Sequence, residues 1–400
     1  MSQPVNLSAE SVSRVITPRP LADRYLWYLA IYSFWTAWMV LITSAGPYSH
    51  GSFAEWVNGW HRWDAEYYFR IWNLGYGYDP HTLAYPPGFS WLVGGVSLLL
   101  RVPFDLAAIV VGVSSFFVAG VLAAEFISQR FFIPWWVVFI FHLSNPVGLY
   151  AFAPYSDCFF EVIFWAALIY AVRDPKSFRI RDWIFSSLLV FCAPLIRVTG
   201  FALIIWVLFR RWFALAVVPC VFLFLLGNWL VTGDWFYFIH VQQQFLMPQG
   251  WFLDGFRYHF HELLHPPQSG YGSGALFWVQ TTVLPILSLI LIIISATWLK
   301  RRGELILALT MMTVAIYSRN QAYWRSAFRY DLPLWPLLLP PWYLWAFEAS
   351  ILGRAGRASS VLSSTIFIWS LKLVIVVFVL IAFFFQWGLA RRFHNGVWVF

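Results

Sequence analysis

Charged residues are scarce in this chain. Asp, Glu, Lys and Arg make up 11% of its 400 residues, while 60% of the residues are hydrophobic. A soluble domain carries about 25% charged residues, and the mean hydropathy of +0.67 also lies outside the soluble range. This scarcity excludes a soluble globular protein and predicts a polytopic integral membrane protein. The net charge of +8 then reflects membrane topology, so we expect no nucleic-acid partner.

Cysteine is also rare, and no repeat of fixed period is visible. Cys158, Cys192 and Cys220 lie in or beside apolar segments, and their spacing indicates neither a disulfide framework nor a zinc site. We expect them to be small apolar core residues. Without a repeat, a repeat-built transporter has no direct support. The first 25 residues are polar, so we expect a retained signal-anchor rather than a cleavable signal peptide.

Long apolar runs predict an all-α polytopic fold, with about 11 transmembrane helices forming a single membrane-embedded domain over residues 1–400. The segment Pro87–Leu100 is apolar but short, and the pair Pro86-Pro87 stands at its start, so we expect an interfacial or re-entrant helix there. The predicted spans are 25–46, 104–128, 131–148, 157–172, 183–197, 199–209, 212–231, 275–298, 303–318, 332–350 and 362–387.

Basic residues indicate the orientation of the chain. With a cytoplasmic N-terminus, most Lys and Arg residues fall in short cytoplasmic loops, as the positive-inside rule requires. A full span at 87–100 would invert every later loop and place the basic clusters on alternating sides. We therefore expect large outer loops at 46–103 and 232–275, a third outer segment at 318–331, and an outer C-terminus. Long loops on a rigid scaffold are a common place for function.

The first outer loop contains the residue that we nominate as the catalytic base. Asp64 follows the first span and lies between aromatic and basic residues. Aromatic residues at 63, 67, 69 and 72 predict a helix lying on the membrane. A carboxylate beside the bilayer can take a proton from a bound hydroxyl. In the alternative interpretation, Asp64 and Glu66 are both solvated residues on the polar face of that helix.

Polar residues gather where the third and fourth predicted spans meet the outer surface. Asn145, Tyr155, Ser156 and Asp157 lie there, and Ser156 or Asp157 could simply cap the following helix. Arg197 stands between two apolar runs. An arginine within the membrane is costly and usually has a partner or an anionic ligand, so here the functional interpretation is favoured.

The third outer segment is basic, against the positive-inside trend. It contains Arg319, Arg325 and Arg329. Interfacial snorkelling would explain these residues, and so would a phosphate, because guanidinium groups bind phosphate in bidentate fashion. Lys372, in the last predicted span, has no explanation at this stage.

One short motif matches a zinc-protease pattern. The sequence His261–His265 reads H-E-L-L-H, and zincins place such a motif on a helix so that both histidines face the metal. Pro266 follows directly and restricts the backbone at His265. We therefore favour an amphipathic surface helix over a metal site.

Together, six motifs resemble the bacterial relatives of the GPI mannosyltransferase II (PIG-V-like) family within the GT-C superfamily. The resemblance runs in order along most of the chain. Asp157 stands where the family usually has Glu, and Tyr67 stands where a His is common. The six motifs are RWDAEYYFRIWNLGYGY, NPVGLYAFAPYSDCFF, RVTGFAL, GDWFYFIHVQQQF, FRYDLPLWPLLLP and GVWVF.

The resemblance implies an inverting glycosyltransferase that uses a sugar, typically mannose, carried on polyprenyl or dolichyl phosphate. Asp64 acts as the base on an acceptor hydroxyl. The leaving phosphate needs charge stabilisation, and no divalent metal is required. The implied donor-phosphate ligands are Arg329, Arg197 and Arg62. The implied acceptor or sugar ligands are Asp157, Tyr155, Glu66 and Gln242.

Two other functions stay open at this stage. A lipid or ion transporter would also contain intramembrane Arg and Asp residues, but it predicts ionisable residues throughout the depth of the bilayer. A membrane metalloprotease would use the H-E-L-L-H segment. We expect the active site on the outer face of a bacterial inner membrane, with the endoplasmic reticulum as the alternative. The sequence leaves the acceptor open.

Overall fold

The computed structural model describes residues 21–44, 52–244, 252–265, 278–319, 327–344 and 361–396. This described part of the chain is helical and contains no β-strand. Its α-helices are α1 Leu21–Ser44, α2 Phe53–Gly59, α3 Asp64–Leu74, α4 Pro87–Leu100, α5 Phe104–Phe131, α6 Trp135–Leu143, α7 Asp157–Ala171, α8 Ile180–Ile196, α9 Val217–Thr232, α10 Tyr237–Gln244, α11 Phe252–Leu264, α12 Leu284–Arg301, α13 Leu305–Ser318, α14 Ala327–Tyr330 and α15 Val361–His394.

Tighter helical segments join several of these helices. Many begin with proline, which has a fixed φ and lacks an N–H group, so it suits the first helical position. The 3-10 segments are Pro80–Ala84, Pro146–Ala151, Pro175–Ser177, Val198–Phe209, Trp212–Ala216 and Leu332–Leu338, and a π-helical turn covers Val279–Val283.

Five described helices are long and apolar enough to cross a membrane, which confirms the all-α polytopic fold class. They are Asp23–Ser44, Phe104–Phe131, Trp212–Thr232, Thr281–Arg301 and Val376–His394.

The predicted span 131–148 is not a single regular helix. Helix α6 ends at Leu143, and Pro146 begins a separate 3-10 segment there. Proline has no backbone N–H to continue the helical ladder and clashes with the preceding turn. The predicted span 199–209 likewise lies in a 3-10 segment, Val198–Phe209. The number of spans therefore remains a prediction.

Helix α4 is too short to span, as its sequence predicted. Its 14 residues extend about 21 Å at 1.5 Å per residue, against a hydrocarbon core of roughly 30 Å. It packs against α3, α5 and α8. This packing places α4 beside the helix that begins at Asp64.

The core is packed closely around α5 and α7. A Cβ added at Gly112 of α5 would lie 2.4 Å from the carbonyl oxygen of Ala151, so only glycine allows this approach of two backbones. Cys158 and Cys220 are buried, Cys192 is partly buried, and all three are free thiols, in agreement with their prediction as core residues.

The last helix ties distant parts of the bundle together. The Gln386 side-chain amide of α15 donates to the carbonyl oxygens of Leu143 and Asn145, at 3.1 and 2.7 Å. It also accepts a hydrogen bond from the indole of Trp35 at 3.0 Å. These contacts join the first and last described helices behind the polar residues where α7 begins.

Candidate active site

Asp64 is the first residue of α3 and is held by three groups. Its carboxylate Oδ2 lies 2.9 Å from Arg329 Nη1, and its Oδ1 accepts a hydrogen bond from the Tyr85 hydroxyl at 3.0 Å. Its backbone N–H donates to the Tyr155 hydroxyl at 3.3 Å. Trp63 precedes it at φ 46° and ψ −106°, a conformation that is strained for a bulky residue. Tertiary contacts therefore fix the start of α3.

Arg329 lies between two carboxylates. Its Nη1 meets Asp64, and its Nε lies 3.6 Å from Asp157 Oδ1. The guanidinium carbon stands 5.1 to 5.5 Å from the ring centroids of Tyr150, Tyr155 and Tyr330. Aromatic faces attract a cation most strongly where water is excluded. Only 7% of Arg329 is exposed, so this surrounding of rings and carboxylates replaces its hydration.

Asp157 and Arg197 meet because α7 begins where α8 ends. Arg197 Nη1 lies 2.7 Å from Asp157 Oδ2, and the Arg197 guanidinium stacks over Tyr330 at 4.3 Å. Ser156 makes no helix-capping hydrogen bond from its side chain. Instead its hydroxyl contacts Tyr68 at 2.8 Å and accepts from Arg197 at 3.4 Å. The capping interpretation of Ser156 is therefore wrong.

These four charged residues, Asp64, Asp157, Arg197 and Arg329, form one cluster, which we call the four-residue cluster. Its formal charge is neutral, because two carboxylates face two guanidinium groups. The structure thus brings together the nominated base and two of the three arginines nominated for phosphate. A carboxylate beside paired guanidinium groups can accept a proton from one reactant and stabilise an anionic leaving group on the other.

The four-residue cluster retains hydrogen-bonding capacity among the described residues. Arg329 Nε and Asp157 Oδ1 are both buried and face each other at 3.6 Å, which is too long for a hydrogen bond. Buried polar groups are almost always hydrogen-bonded unless a ligand, ion or water completes them. The cluster therefore has the polar character of a binding site.

Tyr85 is a site residue that the sequence analysis missed. Its ring stacks on Tyr67, with centroids 4.8 Å apart and planes 12° from parallel. Burial, and then the charge of Asp64, raise the pKa of Tyr85 well above its usual value, so its hydroxyl stays protonated and donates. The sequence feature that could have identified Tyr85 is the Tyr85-Pro86-Pro87 sequence at the start of α4. This sequence places the Tyr85 ring beside α3.

Two predicted site residues lie outside the four-residue cluster. The carboxylate of Glu66 binds Arg70 at 2.7 Å and His61 at 2.9 Å, because residues two positions apart on a helix point to different faces. Arg62 donates to the carbonyl oxygens of Gly59 and His394. Gln242 lies in α10, but its side chain is outside the described residues.

Tyr155 and Asn145, both predicted near the site, have different positions. The Tyr155 hydroxyl joins the backbone N–H of Asp64 to the carbonyl oxygen of Arg62 at 3.1 Å, so it supports the base. Asn145 caps the following 3-10 segment through Val147. Asn145 is therefore structural.

Arg319, which shares the basic segment with Arg329, has a separate structural role. It is fully buried and forms a two-pronged ion pair with Asp331, with Nη1–Oδ1 at 3.0 Å and Nη2–Oδ2 at 2.6 Å. Its Nη2 also donates to the Ser288 hydroxyl at 2.6 Å. Both the snorkelling and the phosphate interpretations are wrong for Arg319. Arg325 lies outside the described residues.

Residues 261–264 of the H-E-L-L-H segment form the last turn of α11, and His265 follows the end of the helix. Phe256, Phe260 and Leu264 are exposed along it. Glu262 accepts a hydrogen bond from Thr282 at 2.8 Å, which fastens α11 to the turn before α12. Among the described residues, no group of three or more His, Cys, Asp or Glu side chains is placed to hold a metal ion.

A second ionisable pair, inside the bundle, was also missed by the sequence analysis. His142 Nδ1 of α6 lies 3.4 Å from Glu161 Oε1 of α7, and both side chains are completely buried. His142 Nε2 lies 3.1 Å from the Phe116 carbonyl oxygen and therefore donates to it. No short motif surrounds either residue, so only the packing of α6 on α7 reveals the pair.

Two crystal structures are similar to this chain. One is ArnT from Cupriavidus metallidurans in the apo state, and the other is the same protein bound to undecaprenyl phosphate. The sequence identity is 13% for both, the TM-scores are 0.43 and 0.44, and the alignments cover 90% of this chain and 78% of ArnT. No protein-family model and no curated protein sequence matches the chain significantly.

Proposed function

We propose that this protein is a GT-C-type glycosyltransferase that moves a sugar from a polyprenyl- or dolichyl-phosphate donor to a hydroxyl of a lipid-linked or glycan acceptor. One observation carries the proposal. The Asp64 carboxylate of the first loop lies 2.9 Å from Arg329, 265 positions along the chain, and Arg329 and Arg197 both lie beside Asp157. A base and a pair of guanidinium groups are what transfer from a lipid phosphate requires.

The proposed reaction is a single displacement at the anomeric carbon. Asp64 takes the proton of the acceptor hydroxyl while the acceptor oxygen bonds to the anomeric carbon. The bond from that carbon to the phosphate oxygen breaks, and its electron pair stays on the phosphate. The products are a glycosylated acceptor with inverted configuration and the lipid phosphate. Arg329 and Arg197 stabilise the negative charge that develops on the leaving group.

Mannose is the sugar that we propose, on the strength of the PIG-V-like motifs alone. The stacked rings of Tyr67 and Tyr85 border Asp64 and present an aromatic surface of the kind on which a sugar ring can lie. The acceptor hydroxyl must approach within hydrogen-bonding distance of Asp64. We place the acceptor on this side of α3 and the donor phosphate on the Arg329 side.

The test incubates purified protein with labelled polyprenyl-phosphate-mannose and a lipid extract, and then identifies the labelled product. Asp64→Asn keeps the shape of the side chain but cannot accept the proton. We expect the transfer rate to fall at least about 10²-fold. Asp174→Asn is the matched control, since Asp174 only caps the turn at Lys176 and asparagine can also cap. Wild-type transfer rates in Asp64→Asn contradict the proposed mechanism.

One observation favours a lipid or ion transporter as a second candidate. The His142–Glu161 pair is completely buried between two helices, and ionisable side chains inside a membrane bundle commonly mark proton or ion paths. The same experiment separates the two functions. A transporter forms no labelled glycoside, with or without Asp64.

A further inference from the structure

We propose that Asp64 occupies the position on Arg329 that the donor phosphate takes, so that donor binding releases the base. The inference rests on the proposed function and adds an order of events to it, in which the donor binds before the base acts. The contact between Asp64 Oδ2 and Arg329 Nη1, 2.9 Å long, is called the resting pair below. In the resting pair the base is held by its counter-ion, and it becomes active only after a phosphate replaces it.

The Arg329 guanidinium faces a carboxylate at two of its three nitrogens. Its Nε edge faces Asp157 at 3.6 Å, and its Nη1 is bound to Asp64. Arginine binds phosphate best through two parallel N–H groups of its planar fork. A phosphate that reaches Nη1 therefore has to displace Asp64.

Asp64 is the more exposed partner of the resting pair and is therefore the one that an arriving ligand can displace. The Asp64 side chain is 23% exposed, whereas that of Arg329 is 9% exposed. Arg329 is surrounded by tyrosine rings. Asp64, by contrast, is the first residue of α3 and directly follows the strained backbone of Trp63. An arriving ligand contacts the carboxylate first, and the carboxylate has solvent into which it can turn.

The contacts of Asp64 explain why the exchange matters for catalysis. In the resting pair Oδ2 of Asp64 faces Arg329 and Oδ1 accepts from the Tyr85 hydroxyl, so both carboxylate oxygens are engaged. Once a phosphodiester pairs with Arg329, Oδ2 is released and can accept a hydrogen bond from the acceptor hydroxyl. The base is therefore available on Oδ2 only when the donor is present.

The same exchange resets the site after transfer. The leaving lipid phosphate carries more negative charge than the phosphodiester donor, and Arg329 holds it more tightly. When Asp64 returns to Arg329 after giving up its proton to water, it competes with the product. The resting pair therefore assists product release as well as donor-dependent activation.

The test measures binding of undecaprenyl phosphate to purified protein by isothermal titration calorimetry. Asp64→Asn and Asp64→Ser both remove the competing charge, and thermal unfolding checks that each variant folds. We expect both to bind undecaprenyl phosphate about tenfold more tightly than the wild type, because one charged hydrogen bond no longer opposes the ligand. Undecaprenol, which lacks the phosphate, should bind equally to all of them.

Glu304→Gln is the matched control. Glu304 pairs with Arg130 at 2.7 Å, at the end of α5 away from the four-residue cluster, so its loss should leave phosphate binding unchanged. Unchanged or weaker affinity in both Asp64 variants, with binding by the wild type, overturns the inference and leaves the proposed function standing. If the wild type binds no undecaprenyl phosphate, the proposed function is overturned together with the inference.

Discussion

At the residue scale, Tyr85 shows how a neutral group can hold the carboxylate that we propose as the base. Its hydroxyl donates to Asp64 Oδ1 while Arg329 holds Oδ2. In the proposed exchange, in which Asp64 leaves Arg329, the Tyr85 hydroxyl still orients the carboxylate. The raised pKa of Tyr85 keeps the hydroxyl a donor at every physiological pH.

Tyr85→Phe tests this positioning role. The phenyl ring retains the stack on Tyr67, and only the hydrogen bond to Asp64 is lost. We expect kcat of sugar transfer to fall about tenfold, since hydrogen bonds to charged groups contribute about 1.5–3 kcal/mol. Tyr28→Phe is the matched control, because the Tyr28 hydroxyl also donates to a carboxylate, Glu125 at 3.1 Å, away from Asp64. Equal rates in the two variants would refute the role of Tyr85.

At the element scale, His61 clamps α3 to the start of α5. Its Nδ1 lies 2.7 Å from Asp105 Oδ1, and its Nε2 lies 2.9 Å from Glu66 Oε2. Because both ring nitrogens face carboxylates, the ring is held in its doubly protonated form. The hydrogen bond to Asp105, opposed by partial burial, raises the pKa of His61 above its usual 6.5. The helix that presents Asp64 is thus secured by a cation.

The clamp predicts a pH dependence with a definite sign. The pKa of His61 is higher in the folded state than in the unfolded state. Protonated His61 therefore stabilises the fold fully below about pH 6.5, and this stabilisation is lost as the pH rises through the folded-state pKa. The facing groups are Asp105 of α5, Glu66 of α3, which Arg70 also binds, and the edge of the Phe69 ring. The hydrogen bonds of Arg70 and His61 lower the pKa of Glu66. Ionised Glu66 therefore stabilises the fold at pH values above the usual pKa of a glutamate.

We expect the melting temperature of the wild type to decline as the pH is raised from 6.5, and we expect His61→Gln to show a smaller decline. The measurement is thermal unfolding in detergent at a series of pH values. His240→Gln is the control, because His240 pairs with Asp234 at 2.9 Å on an exposed surface. The clamp is refuted if the pH dependence of His61→Gln matches that of the wild type.

At the scale of the whole molecule, the buried Arg319–Asp331 pair joins three segments. Arg319 follows α13, Ser288 belongs to α12, and Asp331 precedes the 3-10 segment that carries the chain from α14. Removing one partner of a buried ion pair leaves an uncompensated charge, whereas replacing both with apolar residues is often neutral. This pair therefore fixes how α12 and α13 pack below the four-residue cluster.

Arg319→Met should destabilise the protein by about 3–5 kcal/mol, measured by thermal or denaturant unfolding in detergent. Arg319→Met combined with Asp331→Leu should recover most of that loss. Arg130→Met breaks the more exposed pair with Glu304 and should cost no more than about 1 kcal/mol. A similar loss in Arg319→Met and Arg130→Met would show that burial does not govern the contribution of Arg319.

Much of the fold was predictable because it depends on local composition. Apolar runs located most of the described helices, and the short apolar run at Pro87–Leu100 matches the bounds of α4. The predicted spans 131–148 and 199–209 are not single regular helices, because backbone geometry there departs from a regular α-helix. Hydropathy measures how apolar a segment is. It does not show whether the backbone hydrogen bonds of a helix continue along that segment.

The sequence by itself determined that the protein belongs in a membrane and where most of the described helices lie, and it nominated Asp64, Asp157, Arg197 and Arg329 as candidate site residues. Tertiary structure alone decided their partners. Arg319 and Arg329 lie ten positions apart in one basic segment, yet one is a buried structural residue and the other meets Asp64. The physical reason is that pairing depends on which helix ends lie side by side, and chain positions 64 and 329 become neighbours only through packing of the whole bundle.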